Sequence, residues 1–140
     1  MIPCDVGLYQ RLSGLRLSDE VGKDNKTVIN SGPAAEVVAG TELLASSPSR
    51  TRPELFYWHR EQRSSNAEVD YVFQRGRDIV PLEVKASTRG SMRSLRMFLE
   101  SHQLSSYGIR TSLEPFSEYD NIRVVPLYAI AAQHGNSRAV

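Results

Sequence analysis

Apolar residues recur along this chain with two different periods, one typical of helices and one typical of strands. A first helix is predicted between Asp5 and Leu15, where apolar side chains return every three or four positions. A second begins at Gly32-Pro33, because proline suits the first helical turn, and ends at Ser46-Ser47-Pro48. A third helix is predicted over Met92 to Leu99, and a short closing helix over Leu127 to Ala132.

Five further segments alternate or are rich in aromatic residues, as strands are. They are Leu55 to Trp58, Ala67 to Gln74, Ile79 to Ala86, Tyr107 to Ser112 and Ile122 to Val125. The resulting order is two helices, three strands, a helix, two strands and a helix. It predicts an α/β or α+β fold in which helices flank a mixed central sheet.

Composition limits the class of protein. A chain of 140 residues, 40% hydrophobic and with net charge +1, suits one domain without a general cationic surface. The single cysteine, Cys4, excludes an internal disulfide and favours a reducing, cytoplasmic compartment. No secretory signal or membrane span is predicted. We expect an N-terminal helix and polar loop in residues 1–31, a core in residues 32–132 and a flexible tail in residues 133–140.

The most informative segment runs from Asn66 to Lys85. If Gly76-Arg77 is a two-residue turn of type II′, Arg75 faces Asp78, and continuing the ladder sets Asp70 opposite Glu83 and Glu68 opposite Lys85. The period of two then gathers these four site residues on one face and leaves an apolar core face. That core face would carry Val69, Tyr71, Phe73, Val80, Leu82 and Val84.

Facing carboxylates repel each other, which raises the pKa of one of them unless a cation intervenes. Mg²⁺ takes oxygen ligands, so Asp70 and Glu83 are candidate metal ligands. Lys85 is then placed to orient a water molecule or to stabilise charge on a phosphate. The alternative is that Glu68 and Lys85 form only an exposed cross-strand ion pair, worth less than about 1 kcal/mol.

Several motifs together resemble a known family. They are Tyr57-Trp58-His59-Arg60, Glu68-Val69-Asp70-Tyr71-Val72 and Val80-Pro81-Leu82-Glu83-Val84-Lys85, with Asp5-Val6-Gly7-Leu8 and the Gly32 to Leu44 helix. The combination, to which Ser94-Leu95 and Phe98 add, resembles the domain of unknown function that follows an AAA-type ATPase module in many bacterial and archaeal proteins. That family is similar to PD-(D/E)xK nucleases, so the resemblance implies a restriction-endonuclease-like core and a site that binds Mg²⁺ or Mn²⁺.

Carried over by position, Glu36 is the acid on the core helix, Asp70 the central metal-binding acid, and Glu83 and Lys85 the (D/E)xK pair. Val69 stands where the superfamily has proline, which removes no ligand. Without the resemblance, Glu36 is explained as an acid favoured by the helix macrodipole. Gln103-x-x-x-Tyr107 also resembles an element of RecB-like exonucleases, a weaker match.

A local basic surplus surrounds the predicted site, with ten basic and six acidic residues between Arg50 and Arg96. Arg89, Arg93 and Arg96 follow the Glu-x-Lys strand and are candidates for DNA backbone contacts, because guanidinium groups suit phosphate. Each is equally well explained as part of a solvated helix face. We expect Tyr57 and Trp58 to pack in the hydrophobic core rather than to stack on nucleic-acid bases.

The function predicted is a metal-dependent nuclease-like domain acting on DNA. The alternative is a DNA-binding or regulatory module of an AAA-type ATPase, and a weaker one is a restriction endonuclease. The chain carries no phosphate-loop motif, so the ATPase would be a separate or missing portion. The three histidines and Cys4 lack the spacing of a metal site.

Overall fold

The computed structural model describes residues 2–14, 32–48, 50, 52–61, 66–88 and 90–134. Its helices are α1 (Val6–Leu12), α2 (Gly32–Ala45), α3 (Arg93–Ser101) and α4 (Ala131–His134). A 3-10 turn, Leu127–Ala129, precedes α4. The strands are β1 (Phe56–Arg60), β2 (Ala67–Arg75), β3 (Asp78–Glu83), β4 (Gly108–Ser112), β5 (Ser117–Tyr119) and β6 (Ile122–Pro126).

These strands form one mixed six-stranded sheet in the order β1-β2-β3-β4-β6-β5. The pairs β1–β2, β2–β3 and β5–β6 are antiparallel, whereas β3–β4 and β4–β6 are parallel. A parallel pair needs a crossover connection, and α3 supplies it between β3 and β4. The predicted mixed sheet with flanking helices is therefore confirmed as an α+β fold.

The differences from the predicted elements are local. The strand β5 has no counterpart in the sequence prediction, because its three residues are too short to show a period. The predicted closing helix is split into the 3-10 turn and α4, which also includes Gln133 of the expected tail. The loop predicted over Ser18 to Ser31 and the tail after His134 lie outside the described residues.

Both faces of the sheet are covered. One core packs α2 and the segment around Ile130 against Phe73, Val80 and Leu82. The other packs α3 against Val69, Val72 and Ile122, with Trp58 at its margin. The prediction that one hairpin face is packed and the other polar is therefore wrong, because α3 covers the second face and buries Val72 and Pro81.

Small residues bring α2 close to the sheet. Ala35, Ala39 and Gly40 are buried on it, and the Tyr71 hydroxyl donates a hydrogen bond of 2.9 Å to the Glu36 carbonyl. This bond joins β2 to the second turn of the helix. It therefore fixes the distance between the sheet and the α2 backbone at Glu36.

The helix α3 packs through Leu95 and Phe98. Trp58 meets the Phe98 ring edge-on at 5.4 Å between centroids, and His102 stacks on Phe98 at 4.0 Å. Trp58 thus joins the core as predicted. Tyr57 does not, since it is 75% exposed on the edge strand. In the described part of the chain, no helix has the length and apolar character needed to cross a membrane.

Candidate functional site

The predicted hairpin register is confirmed from the turn as far as Tyr71. Arg75 pairs with Asp78, and the ladder continues to Tyr71 opposite Leu82. Gly76 has φ 64°, a conformation that favours glycine over residues with a Cβ. The ladder ends before Asp70, so the predicted backbone pairs Asp70–Glu83 and Glu68–Lys85 are not among its pairs. On the other side of β2, Glu68 is paired with His59 of β1.

A β-bulge in β2 lies where the ladder ends. Phe56 of β1 pairs with Val72, but Trp58 pairs with Val69, so β2 has one extra residue between these pairs. Bulges re-aim side chains beside functional sites. Here Val69 joins the α3 core, whereas Tyr71 stays on the α2 side. The prediction that Val69 shares a face with Tyr71 is wrong because the extra residue shifts the alternation.

The bulge sets the Asp70 carboxylate against the backbone of the next strand. Its Oδ2 accepts a hydrogen bond of 2.6 Å from the Val84 amide, just beyond the end of β3. Burial raises the pKa of Asp70 from its ordinary value, and the charge of Glu68 adds to this rise. The Val84 N–H and the Lys85 ammonium oppose it. Asp70 is therefore fixed at the point where β2 and β3 separate.

Glu83 and Lys85 form an ion pair, with 2.9 Å between Lys85 Nζ and Glu83 Oε1. Glu83 is only 6% exposed, and its other oxygen, Oε2, is buried without a hydrogen-bond partner in the described structure. Burial raises the pKa of Glu83, and the negative charge of Asp70 adds to this rise. The hydrogen bond and positive charge of Lys85 oppose it. The cation thus contacts Glu83 rather than Glu68, the partner considered in the alternative interpretation.

The backbone of Lys85 is held by β4. Its N–H donates to Thr111 Oγ1 over 2.8 Å, and the same hydroxyl donates to the Lys85 carbonyl over 3.2 Å. Thr111 is fully buried. These two bonds continue the β3–β4 pairing through a side chain and hold Lys85 beside Glu83.

Glu36 approaches from α2 and is half-buried. Burial raises its pKa, the charges of Asp70 and Glu68 add to the rise, and Lys85 opposes it. Tyr71, between Glu36 and Asp70, has its pKa raised to about 12, first by burial and then by these two carboxylates. Its phenol therefore stays protonated and remains a donor to α2.

The charges of four carboxylates and one ammonium thus interact across the junction of α2, β2 and β3, those of Glu36, Glu68, Asp70, Glu83 and Lys85. Carboxylate oxygens are the ligands that Mg²⁺ and Mn²⁺ prefer, and the partnerless Oε2 of Glu83 offers one, so the residue types fit such an ion. Among the described residues, however, no three His, Cys, Asp or Glu side chains are gathered closely enough to hold a metal. The predicted ligands Glu36, Asp70 and Glu83 are coupled by charge without forming one compact ligand cluster.

Two of the three predicted DNA-contacting arginines line a groove along α3. Arg93 and Arg96 line this groove of about 460 Å³ together with Gly90 and the acidic Glu100. Arg96 also pairs with Asp120 over 3.2 Å on the exposed surface. Arg89 lies outside the described residues. The structure therefore brings two of the three arginines into one concave surface.

Gln103 and Tyr107 occupy a different region. Gln103 is exposed, and the Tyr107 hydroxyl accepts a hydrogen bond of 3.5 Å from Arg75 beside the hairpin turn. The guanidinium of Arg123 lies over the Tyr107 ring at 4.0 Å. These contacts account for Tyr107 without reference to the acidic residues.

Sequence reasoning missed Arg110. It lies in the middle of β4, directly beside Glu83 in the parallel ladder, and lowers the pKa of that carboxyl. It is 3% exposed. The available signal was a charged residue inside a short central strand, since arginine is rarely fully buried without a partner.

The fold and the site together define a small α+β domain with an acidic, lysine-containing site at the end of its central antiparallel hairpin. A family model described as a domain of unknown function, DUF4143, matches residues 31–130, and the chain belongs to this family. No curated protein and no solved structure matches the chain. The expected kinship with a domain of unknown function is confirmed, while the ATPase association and the nuclease superfamily stay predictions.

Proposed function

We propose that this chain is a metal-dependent nuclease-like domain of the PD-(D/E)xK type that hydrolyses phosphodiester bonds in DNA. One observation carries the proposal: the pKa values of Glu36, Asp70 and Glu83 are all raised where α2, β2 and β3 meet. Lys85 is ion-paired with Glu83 at this junction. Perturbed titration of several neighbouring groups is typical of functional sites. A second support is the β-bulge that presents Asp70.

Each residue has a distinct role in this proposal. Asp70 and Glu83 would hold Mg²⁺ or Mn²⁺, and Glu36 would join them from α2. The bound ion supplies Lewis acidity and a lowered pKa for coordinated water. Lys85, oriented by Glu83 at 2.9 Å and by Thr111 through its backbone, donates to the attacking water or to the charge that develops on phosphate. In the reaction, a bond from water oxygen to phosphorus forms and a phosphorus–oxygen ester bond breaks.

In this proposal, the DNA backbone lies in the groove along α3. Arg93, Arg96 and Gly90 line it, and Gly90 lies beside the stem of Lys85. Contacts from arginine to phosphate position a nucleic acid without reading its sequence. The surface therefore suits binding that depends on the backbone rather than on a recognition sequence.

The direct test is cleavage of plasmid and single-stranded DNA in the presence of Mg²⁺ or Mn²⁺. Asp70→Asn and Lys85→Met are expected to lower the cleavage rate by about 10²-fold or more, the usual effect of losing one group that stabilises the transition state. Glu42→Gln is the matched control, because Glu42 is exposed on the same helix as Glu36. Equal cleavage by wild type and all three variants would refute the proposal.

A second candidate function is a regulatory or DNA-binding module of an AAA-type ATPase. The helix α1 favours it, because none of its residues is buried and Leu12 is 74% exposed. Titration calorimetry with Mg²⁺ and Mn²⁺ separates the two functions. The nuclease predicts heat that Asp70→Asn abolishes, whereas the regulatory module predicts no metal-dependent heat and no metal-stimulated cleavage.

A further inference from the structure

Arg110 is a buried cation whose donors are not fully used. A guanidinium carries a positive charge, and removing a charge from water is costly unless hydrogen bonds compensate it. Arg110 is 3% exposed, yet its Nε and Nη2 have no hydrogen-bond partner among the described residues. The site therefore contains buried donors whose hydrogen bonds no described group supplies.

Glu83 does not supply the missing acceptor. It is the ladder neighbour of Arg110, so the two side chains leave the sheet on the same face. Even so, the described ion pairs include Glu83 with Lys85 but not Glu83 with Arg110. Glu83 Oε2 and the two Arg110 nitrogens are each buried without a partner in the part of the chain that the structure describes. A ligand with oxygens for Arg110, bound together with a cation for Glu83, would satisfy both residues.

Gly90 lies beside the guanidinium. A Cβ at this position would be 3.2 Å from Arg110 Nη2 and 3.7 Å from Lys85 Cγ. Because glycine has no side chain, the backbone here lies directly against the Arg110 guanidinium and beside the stem of Lys85. Gly90 also lines the groove that contains Arg93 and Arg96. Gly90 therefore lies both in the exposed groove and against the buried Arg110, the ladder neighbour of Glu83.

We propose that Arg110 binds the phosphate of the DNA at this site, donating from Nε and Nη2 to non-bridging oxygens of a phosphodiester that enters past Gly90. Paired donors on a rigid planar group match two phosphate oxygens better than an ammonium does. The inference rests on the proposed function and deepens it by assigning the residue that holds the substrate. Its test uses DNA binding, which does not require cleavage.

The experiment measures the affinity of the whole chain for a fluorescent oligothymidylate by anisotropy, in Ca²⁺ and over a series of salt concentrations. Arg110→Met is expected to weaken binding about 10- to 100-fold, the usual effect of losing charge-assisted hydrogen bonds. It should also reduce the salt dependence of log affinity by about 0.7, one phosphate contact to a single strand. A purely structural role would leave this slope unchanged.

Two further variants sharpen the result. Arg110→Lys keeps the charge but loses the paired donors, so it is expected to keep the salt slope and still bind more weakly. Arg123→Met is the matched control, because Arg123 is a strand arginine that contacts Tyr107 and Glu118. Its removal should weaken binding less than the removal of Arg110.

A measurement on the wild-type protein is independent of whether the variants fold. In wild-type protein with isotope-labelled arginine, the Nε–Hε resonance of Arg110 is expected to shift when the oligothymidylate is added, and Gly90→Ala should reduce that shift. An unshifted Arg110 resonance at saturation, an unchanged salt slope in Arg110→Met, or no DNA binding by wild type would each overturn the assignment. DNA cleavage independent of Arg110 would refute this inference alone. Binding through Arg110 without cleavage would refute only the nuclease.

Discussion

Gly40 offers the sharpest test of how α2 is positioned over the site. It lies inside α2, where a Cβ would be 2.6 Å from the Tyr71 hydroxyl oxygen and 3.0 Å from Tyr71 Cζ. The side chain of Ile2 is also close, at 2.8 Å, but its terminal methyl group can move aside. Gly40→Ala therefore forces either Tyr71 or the helix to shift.

Opposing effects decide the magnitude. Replacing glycine by alanine inside a helix stabilises it by about 1 kcal/mol. Overpacking a close contact costs about 1–3 kcal/mol. Loss of the 2.9 Å hydrogen bond from Tyr71 to the Glu36 carbonyl costs about 0.5–1.5 kcal/mol. The overpacking and the lost bond outweigh the helix propensity, so we expect a net destabilisation of about 2 kcal/mol from these ranges.

Urea denaturation followed by circular dichroism measures this change. With an m-value of about 2 kcal/mol per molar urea, the midpoint should fall by about 1 M. In a Tyr71→Phe background the closest contact is absent, so Gly40→Ala should cost less, with a coupling energy of about 1 kcal/mol between the two sites. A Gly40→Ala protein as stable as wild type, or a cost unchanged in the Tyr71→Phe background, would refute the described packing of α2.

Two other predictions concern the site itself. The pKa of Glu36 is raised in the folded state above the ordinary glutamate value of 4.5. At pH values between the unfolded and the folded pKa, the folded protein therefore binds more protons than the unfolded chain. The free energy of unfolding falls as pH rises through this range. Glu36→Gln should therefore raise the urea midpoint at neutral pH, whereas Glu42→Gln should not; a lower midpoint for Glu36→Gln would contradict the burial of this charge. Thr111→Val removes both bonds to the Lys85 backbone and should cost about 1–3 kcal/mol in urea denaturation. It should also slow DNA cleavage, and unchanged stability would show that these bonds are replaced.

The hairpin shows how far the sequence predicts this structure and where it stops. The turn at Gly76 determines the register, and period-two counting from it is correct for the pairs from Arg75–Asp78 to Tyr71–Leu82. Counting fails at the bulge, because an extra residue in β2 leaves no mark in a pattern of apolar and polar positions. It also fails for Val72, because burial of the second face depends on α3, which is distant in sequence.

The residues of the candidate site also include some that the sequence indicated and one that it did not. The motif spacing indicated Glu83 and Lys85, and the structure sets their charged atoms 2.9 Å apart. Arg110 could not be assigned from spacing, because it reaches Glu83 only through the parallel pairing of β3 and β4. Such a pairing joins segments separated by a whole crossover helix, and a local pattern carries no information about it.

The stability and activity of a single variant, Asp70→Asn, distinguish a functional site from a structural ion pair. Asparagine keeps an oxygen that can accept the hydrogen bond from the Val84 amide, so Asp70→Asn removes the charge and leaves this contact possible. Removing a partner from a buried structural ion pair destabilises a protein, because the remaining charge is left uncompensated. Here burial and the charge of Glu68 raise the pKa of Asp70, so loss of its charge should stabilise the fold at neutral pH. A variant that is more stable than wild type but has lost metal binding and cleavage fits a site maintained for chemistry. A variant that is less stable and cleaves normally would show that Asp70 serves the fold alone.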